Sequence, residues 1–159
     1  MNNSEAETAI LVVDDEESLR STFQFFLQNE GYSPVITAST YEEALAELND
    51  RHFDLIISDI VLGGSTGIDL LRRVRELGRT CPVVMITGYP TVETASEAVR
   101  LGAFDYIPKP VEKQTLLKTA RLALRQHQLE QGQRRAEQER ERYRTFLEFV
   151  FKSVDDGIV

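Results

Sequence analysis

Five short apolar runs, with a helical pattern filling every gap between them, constrain this chain more than any other feature. The runs are Ala9 to Val13, Pro34 to Thr37, Leu55 to Ser58, Val83 to Ile86, and Tyr106 to Ile107. The first, third and fourth are almost unbroken Ile, Leu and Val. Such runs suit central strands of a parallel sheet, which is covered on both faces. The second and fifth are weaker and suit edges. Helical repeats occupy Glu17 to Asn29, Tyr41 to Asp50, Ile68 to Leu77 and Thr91 to Leu101. In the last of these, Val92, Ala95, Ala98 and Val99 form the expected packing face. Gly31, Gly78 and Gly102 supply helix stops, Ser39 or Thr40 can cap the second helix, and a fifth helix is expected near Val111. Strict β-α alternation predicts a doubly wound α/β fold.

In such a fold the working site lies at the carboxyl ends of the strands. The first strand runs into Asp14 and Asp15, the third into Asp59, the fourth into Thr87 and Gly88, and the fifth into Lys109 and Pro110. Three carboxylates at one sheet edge repel one another and call for a hard divalent cation. Mg²⁺ fits, because it takes oxygen ligands and keeps several waters. A carboxylate can then attack phosphorus and form an acyl phosphate. Phosphoryl transfer needs mainly alignment and charge neutralisation. Lys109 can supply a point charge and Thr87 a hydrogen bond. Each feature alone is commonplace: an Asp pair or a Thr-Gly is usually a turn or cap, and a Lys-Pro usually a surface loop. Their joint occurrence at successive strand ends carries the weight.

Composition narrows the function classes. The chain has 159 residues, and 42% of them are hydrophobic, enough for a core. Its net charge of −8 falls almost wholly before His127, and no basic patch interrupts it. A phosphate backbone would be repelled, so direct nucleic-acid binding is not expected. The single cysteine, Cys81, rules out an intrachain disulfide and is expected to be a half-buried structural thiol. Met1 to Glu7 lacks a cationic start, and no apolar stretch reaches the roughly 20 residues that span a bilayer. A soluble cytoplasmic chain without membrane contact is the expectation.

The runs Leu11-Val-Val-Asp-Asp-Glu16, Asp54-Leu-Ile-Ile-Ser-Asp59, Met85-Ile-Thr-Gly88 and Gly102-Ala-Phe-Asp-Tyr-Ile-Pro-Lys-Pro110 resemble the response-regulator receiver family of two-component signalling. The resemblance covers residues 8–127, and from Met85 to Pro110 it is nearest to receivers of the nitrogen-regulation type. It implies a flavodoxin-like sheet of five parallel strands in the order 2-1-3-4-5, followed by a long C-terminal helical extension. It implies Asp59 as phosphoacceptor, with Asp14, Asp15, Asp59 and the main-chain carbonyl of Val61 around Mg²⁺. Thr87 and Tyr106 become the switch pair, Lys109 contacts the phosphoryl group, and the Lys109–Pro110 peptide is cis. The resemblance also implies a sensor histidine kinase or phosphotransfer protein as phosphoryl donor; neither His52 nor His127 has a kinase setting, so this segment is expected to receive phosphate from elsewhere. One departure is Gly63 where the family often has Pro, beside Gly64, which suggests a more mobile loop.

Two other classes compete. A phosphatase of the haloacid-dehalogenase type needs a second Asp two residues after the nucleophile; Val61 follows Asp59 there, and Glu16 follows Asp14. A flavin or nucleotide binder needs a phosphate cradle, but Gly63-Gly-Ser-Thr-Gly67 lacks the Gly-Lys-Ser/Thr ending of a P-loop, and the first strand-helix loop is acidic.

Beyond the receiver-like part the composition turns to Gln, Glu and Arg. Residues 128–150 are expected to form a helical or coiled-coil linker, and a loose heptad can be drawn from Leu122 to Val154. One line is Leu122, Leu129, Ala136, Tyr143 and Val150; the other is Gln126, Gln133, Arg140, Leu147 and Val154. A parallel homodimer through this helix is expected, with a polar and soft middle. Residues 151–159 are similar to the entry of a PAS sensor domain, which needs on the order of 100 residues. A downstream output domain in the same longer chain is therefore expected.

Overall fold

The computed structural model describes residues 7–155; the polar start and the last four residues, including part of the PAS-like segment, lie outside them. The elements alternate as β1 (Ile10–Val13), α1 (Glu17–Asn29), β2 (Val35–Ala38), α2 (Tyr41–Asp50), β3 (Leu55–Asp59), α3 (Gly67–Glu76), β4 (Val83–Thr87), α4 (Val92–Arg100), β5 (Asp105–Pro108) and α5 (Lys113–Asp155). All five strands are parallel, in the order β2-β1-β3-β4-β5. The order reverses between β1 and β3, so their carboxyl ends open a crevice where ligands bind in such sheets.

Side chains alternate across the sheet. Ile10, Val12, Leu55, Ile57, Val84 and Ile86 face one layer, built from Phe23 and Leu27 of α1 and Leu116, Ala120 and Ala123 of α5. Leu11, Val13, Ile56, Val83 and Met85 face the other, built from Ala44 and Leu48 of α2, Leu71 and Val74 of α3, and Ala98 of α4. Burying each such aliphatic side chain stabilises the fold by about 1.5–3 kcal/mol. This two-sided covering explains why the central strands carry no polar alternation.

Local chemistry sets the helix ends. Thr40 caps α2 by accepting from the Glu43 amide at 3.1 Å, while Glu43 reaches back to Ser39. Thr66 and Asp69 form a reciprocal capping box at α3. Thr91 caps α4. Gly31, Gly78 and Gly102 follow α1, α3 and α4 at positive φ, as helix-stopping glycines do.

The packing face of α4 differs from expectation. Ala98 is buried, but Val92 and Val99 are 82% and 73% exposed. Polar ties fix the helix instead: Glu97 pairs with Arg72 of α3 at 2.9 Å, and Thr94 bonds the Tyr106 hydroxyl at 2.8 Å. Cys81 is more buried than expected, and that burial pushes its thiol up to about 11. The adjacent Arg75 donates to the carbonyls of Cys81, Leu101 and Gly102, joining α3 to the end of α4 and the start of β4.

Two compact units divide after Leu124. The first holds the sheet and its core. The second is the remainder of α5, a continuous helix through residues 151–155. Among the described residues no helix is long and apolar enough to cross a membrane.

Candidate metal and phosphoacceptor site

Parallel strands in register bring their carboxyl ends to one edge. The pairing of Val13 with Ser58, Asp59 with Ile86, and Thr87 with Pro108 sets Asp14, Asp59, Thr87 and Lys109 side by side. Each end is pinned by the main chain: the Asp14 amide donates to the Ala38 carbonyl at 3.1 Å, the Ile60 amide to Ile86 at 2.9 Å, and the Lys109 amide to Thr87 at 2.7 Å.

Carboxylate oxygens of Asp14, Asp15 and Asp59 lie within 4.8 Å of one another. Asp14 and Asp59 are 2% and 5% exposed, whereas Asp15 faces solvent. Lys109 bridges the cluster, with Nζ at 2.8 Å from Asp59 Oδ2, 3.2 Å from Asp14 Oδ2 and 3.8 Å from Glu16 Oε1. Asp14 Oδ1 also accepts from the Glu16 amide at 2.8 Å. Burial drives the Asp14 carboxyl above its usual range, against the lowering effect of the Glu16 amide and Lys109. Burial pulls the Lys109 ammonium the other way, but its bond to Asp59 and the charges of Asp14 and Asp59 outweigh this, and its pKa is raised. A carboxylate held buried beside two others, with a single ammonium among them, is under-compensated. That donor set, all hard oxygen, fits Mg²⁺.

Val61 lies in the β3–α3 loop, where its amide donates to Asp59 Oδ1 at 3.2 Å. The loop closes on itself through a bridge between Val61 and Thr66 and turns at Gly63 and Gly64. Thr87 is fully buried, and its hydroxyl accepts from the Tyr89 amide at 3.0 Å. Tyr106 is half-buried on β5, its hydroxyl bound to Thr94 and accepting from the Thr91 amide at 3.3 Å. Thr87 and Tyr106, expected as a switch pair, therefore span the site edge and the first turn of α4. The Lys109–Pro110 peptide is cis, as the resemblance implied, and Ser33–Pro34 is cis as well.

Three contributors were not legible in the sequence reading. Arg20 on α1 donates to the Asp14 carbonyl at 2.8 Å and holds the β1–α1 loop. Its signal was a lone basic residue one turn into a helix that follows an acidic pair. Glu16 adds a further carboxylate near Lys109. Gly67 must be glycine for a steric reason: a Cβ there would run into the main-chain carbonyl oxygen of Asp59 and crowd Met85 Cε at 2.8 Å.

Comparison with known proteins agrees with this geometry. Residues 10–121 match the response regulator receiver domain family. The alginate biosynthesis transcriptional regulatory protein AlgB of Pseudomonas aeruginosa is 40% identical over 126 residues, covering 79% of this chain and 28% of that protein. The transcriptional regulatory protein ZraR of Escherichia coli is 37% identical over 115 residues, covering 72% of this chain and 26% of that one. The chain thus spans about a quarter of the length of these curated relatives. Among solved structures, the receiver domain of NtrX from Brucella abortus is 42% identical with a TM-score of 0.68, covering 73% of this chain and 98% of that one. A CheY-like receiver from Methanospirillum hungatei is 32% identical with a TM-score of 0.76, covering 79% and 99%. With the sheet order, the acidic edge and the matched span in agreement, this chain belongs to the response regulator receiver family.

Proposed function

We propose that Asp59 is the phosphoacceptor and that Asp14, Asp15, Asp59 and the Val61 carbonyl hold Mg²⁺. The observation that carries this is the buried Asp59 at the end of the central β3, with a carboxylate oxygen 2.8 Å from Lys109 and the Asp14–Asp15 pair within reach. When bound, Mg²⁺ would neutralise the carboxylates and the incoming phosphoryl oxygens. The rest belongs to the chain. An Asp59 oxygen attacks phosphorus, the bond from phosphorus to the donor breaks, and its electron pair leaves with the donor. Lys109 offers its ammonium to a phosphoryl oxygen, exchanging part of its present carboxylate contacts for it. The Thr87 hydroxyl, now accepting from Tyr89, turns to donate to another.

The donor in this proposal is a sensor histidine kinase or phosphotransfer protein, and the receiver passes its state to a downstream output domain of a longer chain. The family name supports a signalling module whose own chemistry is confined to gaining and losing one phosphoryl group. The chain beyond Leu124 acts as a dimerisation helix, supported by apolar side chains there that remain uncovered.

The test is intact-mass measurement after incubation with acetyl phosphate and Mg²⁺. The expected result is one labile phosphoryl group, absent from Asp59→Asn and suppressed by chelator. Undiminished labelling of Asp59→Asn would sink the acceptor assignment. Labelling that persists in excess chelator would reject the metal role.

A further inference from the structure

Asp14 is held at every polar atom. Its amide donates to the Ala38 carbonyl at 3.1 Å, and its carbonyl accepts from Arg20 Nη1 at 2.8 Å. Its carboxylate takes the Glu16 amide on Oδ1 at 2.8 Å and Lys109 Nζ on Oδ2 at 3.2 Å. Asp15 is the opposite case. It faces solvent where the chain bends, and among the described residues no hydrogen bond or ion pair holds its carboxylate. That carboxylate nonetheless reaches the common cluster with Asp14 and Asp59. Its place must come from the main chain that carries it.

The peptide between the two residues is planar, so whatever fixes its carbonyl fixes the direction in which Asp15 leaves. The Arg20 guanidinium does this. Arg20 is half-buried on α1, and its own amide donates to the Glu16 carbonyl at 3.0 Å. The donor therefore stands on the helix whose entry Asp14 ties down through Glu16. Its charge also bears on Glu43 of α2, whose carboxyl is held below its usual range first by the Ser39 amide and hydroxyl and then by Arg20. Ser39 follows Ala38, the acceptor of the Asp14 amide. One guanidinium thus acts on the loops after both β1 and β2. A planar fork with several donors suits this place, where a lysine would offer a single point charge.

A cation near three carboxylates has a second effect, of opposite sign. It repels a divalent ion, so by charge alone the site would bind Mg²⁺ better without it. That charge is half-exposed, screened by solvent and faced by Glu43. The Asp14 carbonyl, by contrast, has no other donor among the described residues. Positioning outweighs repulsion. We infer that Arg20 is a positioning residue for the metal pair: by holding the Asp14 carbonyl it fixes the Asp14–Asp15 peptide and sets where the Asp15 carboxylate stands for Mg²⁺. This rests on the reading of Asp14 and Asp15 as metal ligands and adds a residue that itself touches no metal.

Calorimetric titration of Mg²⁺ into the whole unphosphorylated chain tests this, with thermal unfolding in chelator as the control for folding. Arg20→Met is expected to bind Mg²⁺ about tenfold more weakly, the lower end for outer groups that orient ligands. Arg20→Lys keeps the charge but loses the fork, and is expected to bind about threefold more weakly. Asp15→Asn should weaken binding less in the Arg20→Met chain than in the wild type, because a misplaced carboxylate has less to contribute. A defect of folding alone would lower the unfolding midpoint and leave that coupling at zero. Arg20→Met binding as tightly as the wild type or more tightly would overturn the inference, and so would an Asp15→Asn effect equal in both backgrounds. Should Arg20→Met not fold, Arg20→Lys decides alone, and an unchanged affinity there overturns it. A wild type that binds no Mg²⁺ would sink the metal reading itself and this inference with it.

Discussion

At the scale of single residues, the site depends on close approaches of the main chain as much as on its charged groups. Gly67 opens α3 directly against the main-chain carbonyl of Asp59, the proposed acceptor, and its amide donates to Ile60 at 2.7 Å. Overpacking at a fixed backbone costs about 1–3 kcal/mol, and here the obstacle is a peptide oxygen rather than a yielding side chain. Gly67→Ala should therefore destabilise the fold at the upper end of that range and displace Asp59, which urea unfolding and Mg²⁺ titration would register together. A variant with unchanged unfolding midpoint and metal affinity would mean that the loop yields freely. Asp14, Asp59, Thr87 and Lys109 were legible because each directly follows or ends an apolar run, and strand ends are where a doubly wound sheet works. Arg20 was not, because its partner is a carbonyl, and carbonyls have no letter in a sequence.

At the scale of elements, the three central strands were read within a residue or so at each end because burial on both faces removes polar alternation. The helix α4 was misread at Val92 and Val99, since a small apolar residue such as Ala98 can carry the packing alone when polar ties hold the rest. Those ties bear on the proposed switch. Tyr106 is tethered by its hydroxyl to Thr94 and Thr91 at the start of α4, and Thr87 is tethered to Tyr89 in the loop just before it. In the proposed switch, a phosphoryl group that draws the Thr87 hydroxyl toward itself would loosen the second tether and free space for Tyr106. The group shifts the equilibrium only by binding one arrangement better than the other. Amide exchange at residues 87–110 should change when a phosphoryl mimic and Mg²⁺ are added. Tyr106→Phe, which loses both hydroxyl bonds, should show faster exchange at Thr91 to Ala95 even without the mimic. No change at either place would remove this pair from the switch.

At the scale of the whole molecule, two kinds of stability coexist in one chain. Among the described residues the apolar core side chains all precede Arg125: Leu116, Leu117, Ala120, Ala123 and Leu124 are the last ones buried. Everything that builds the acidic edge lies earlier still. Beyond that point the helix has exposed apolar positions, a glycine at 132 with open space around its Cα, and intrahelical pairs such as Arg144–Glu141. A glycine in a helix interior costs roughly 1 kcal/mol relative to alanine, and fully exposed ion pairs of this kind offset little of it. The first unit should then fold and phosphorylate without the second, whereas the second gains its stability by association. A version ending near His127 should keep its thermal midpoint within a few degrees of the intact chain at low concentration and accept phosphate at Asp59 equally well. Only the intact chain should gain helical signal and thermal midpoint as concentration rises, because mass action favours the paired form. A shortened version that loses its cooperative transition would show that the receiver core extends past Leu124. Equal concentration dependence in both forms would move the association onto the receiver itself.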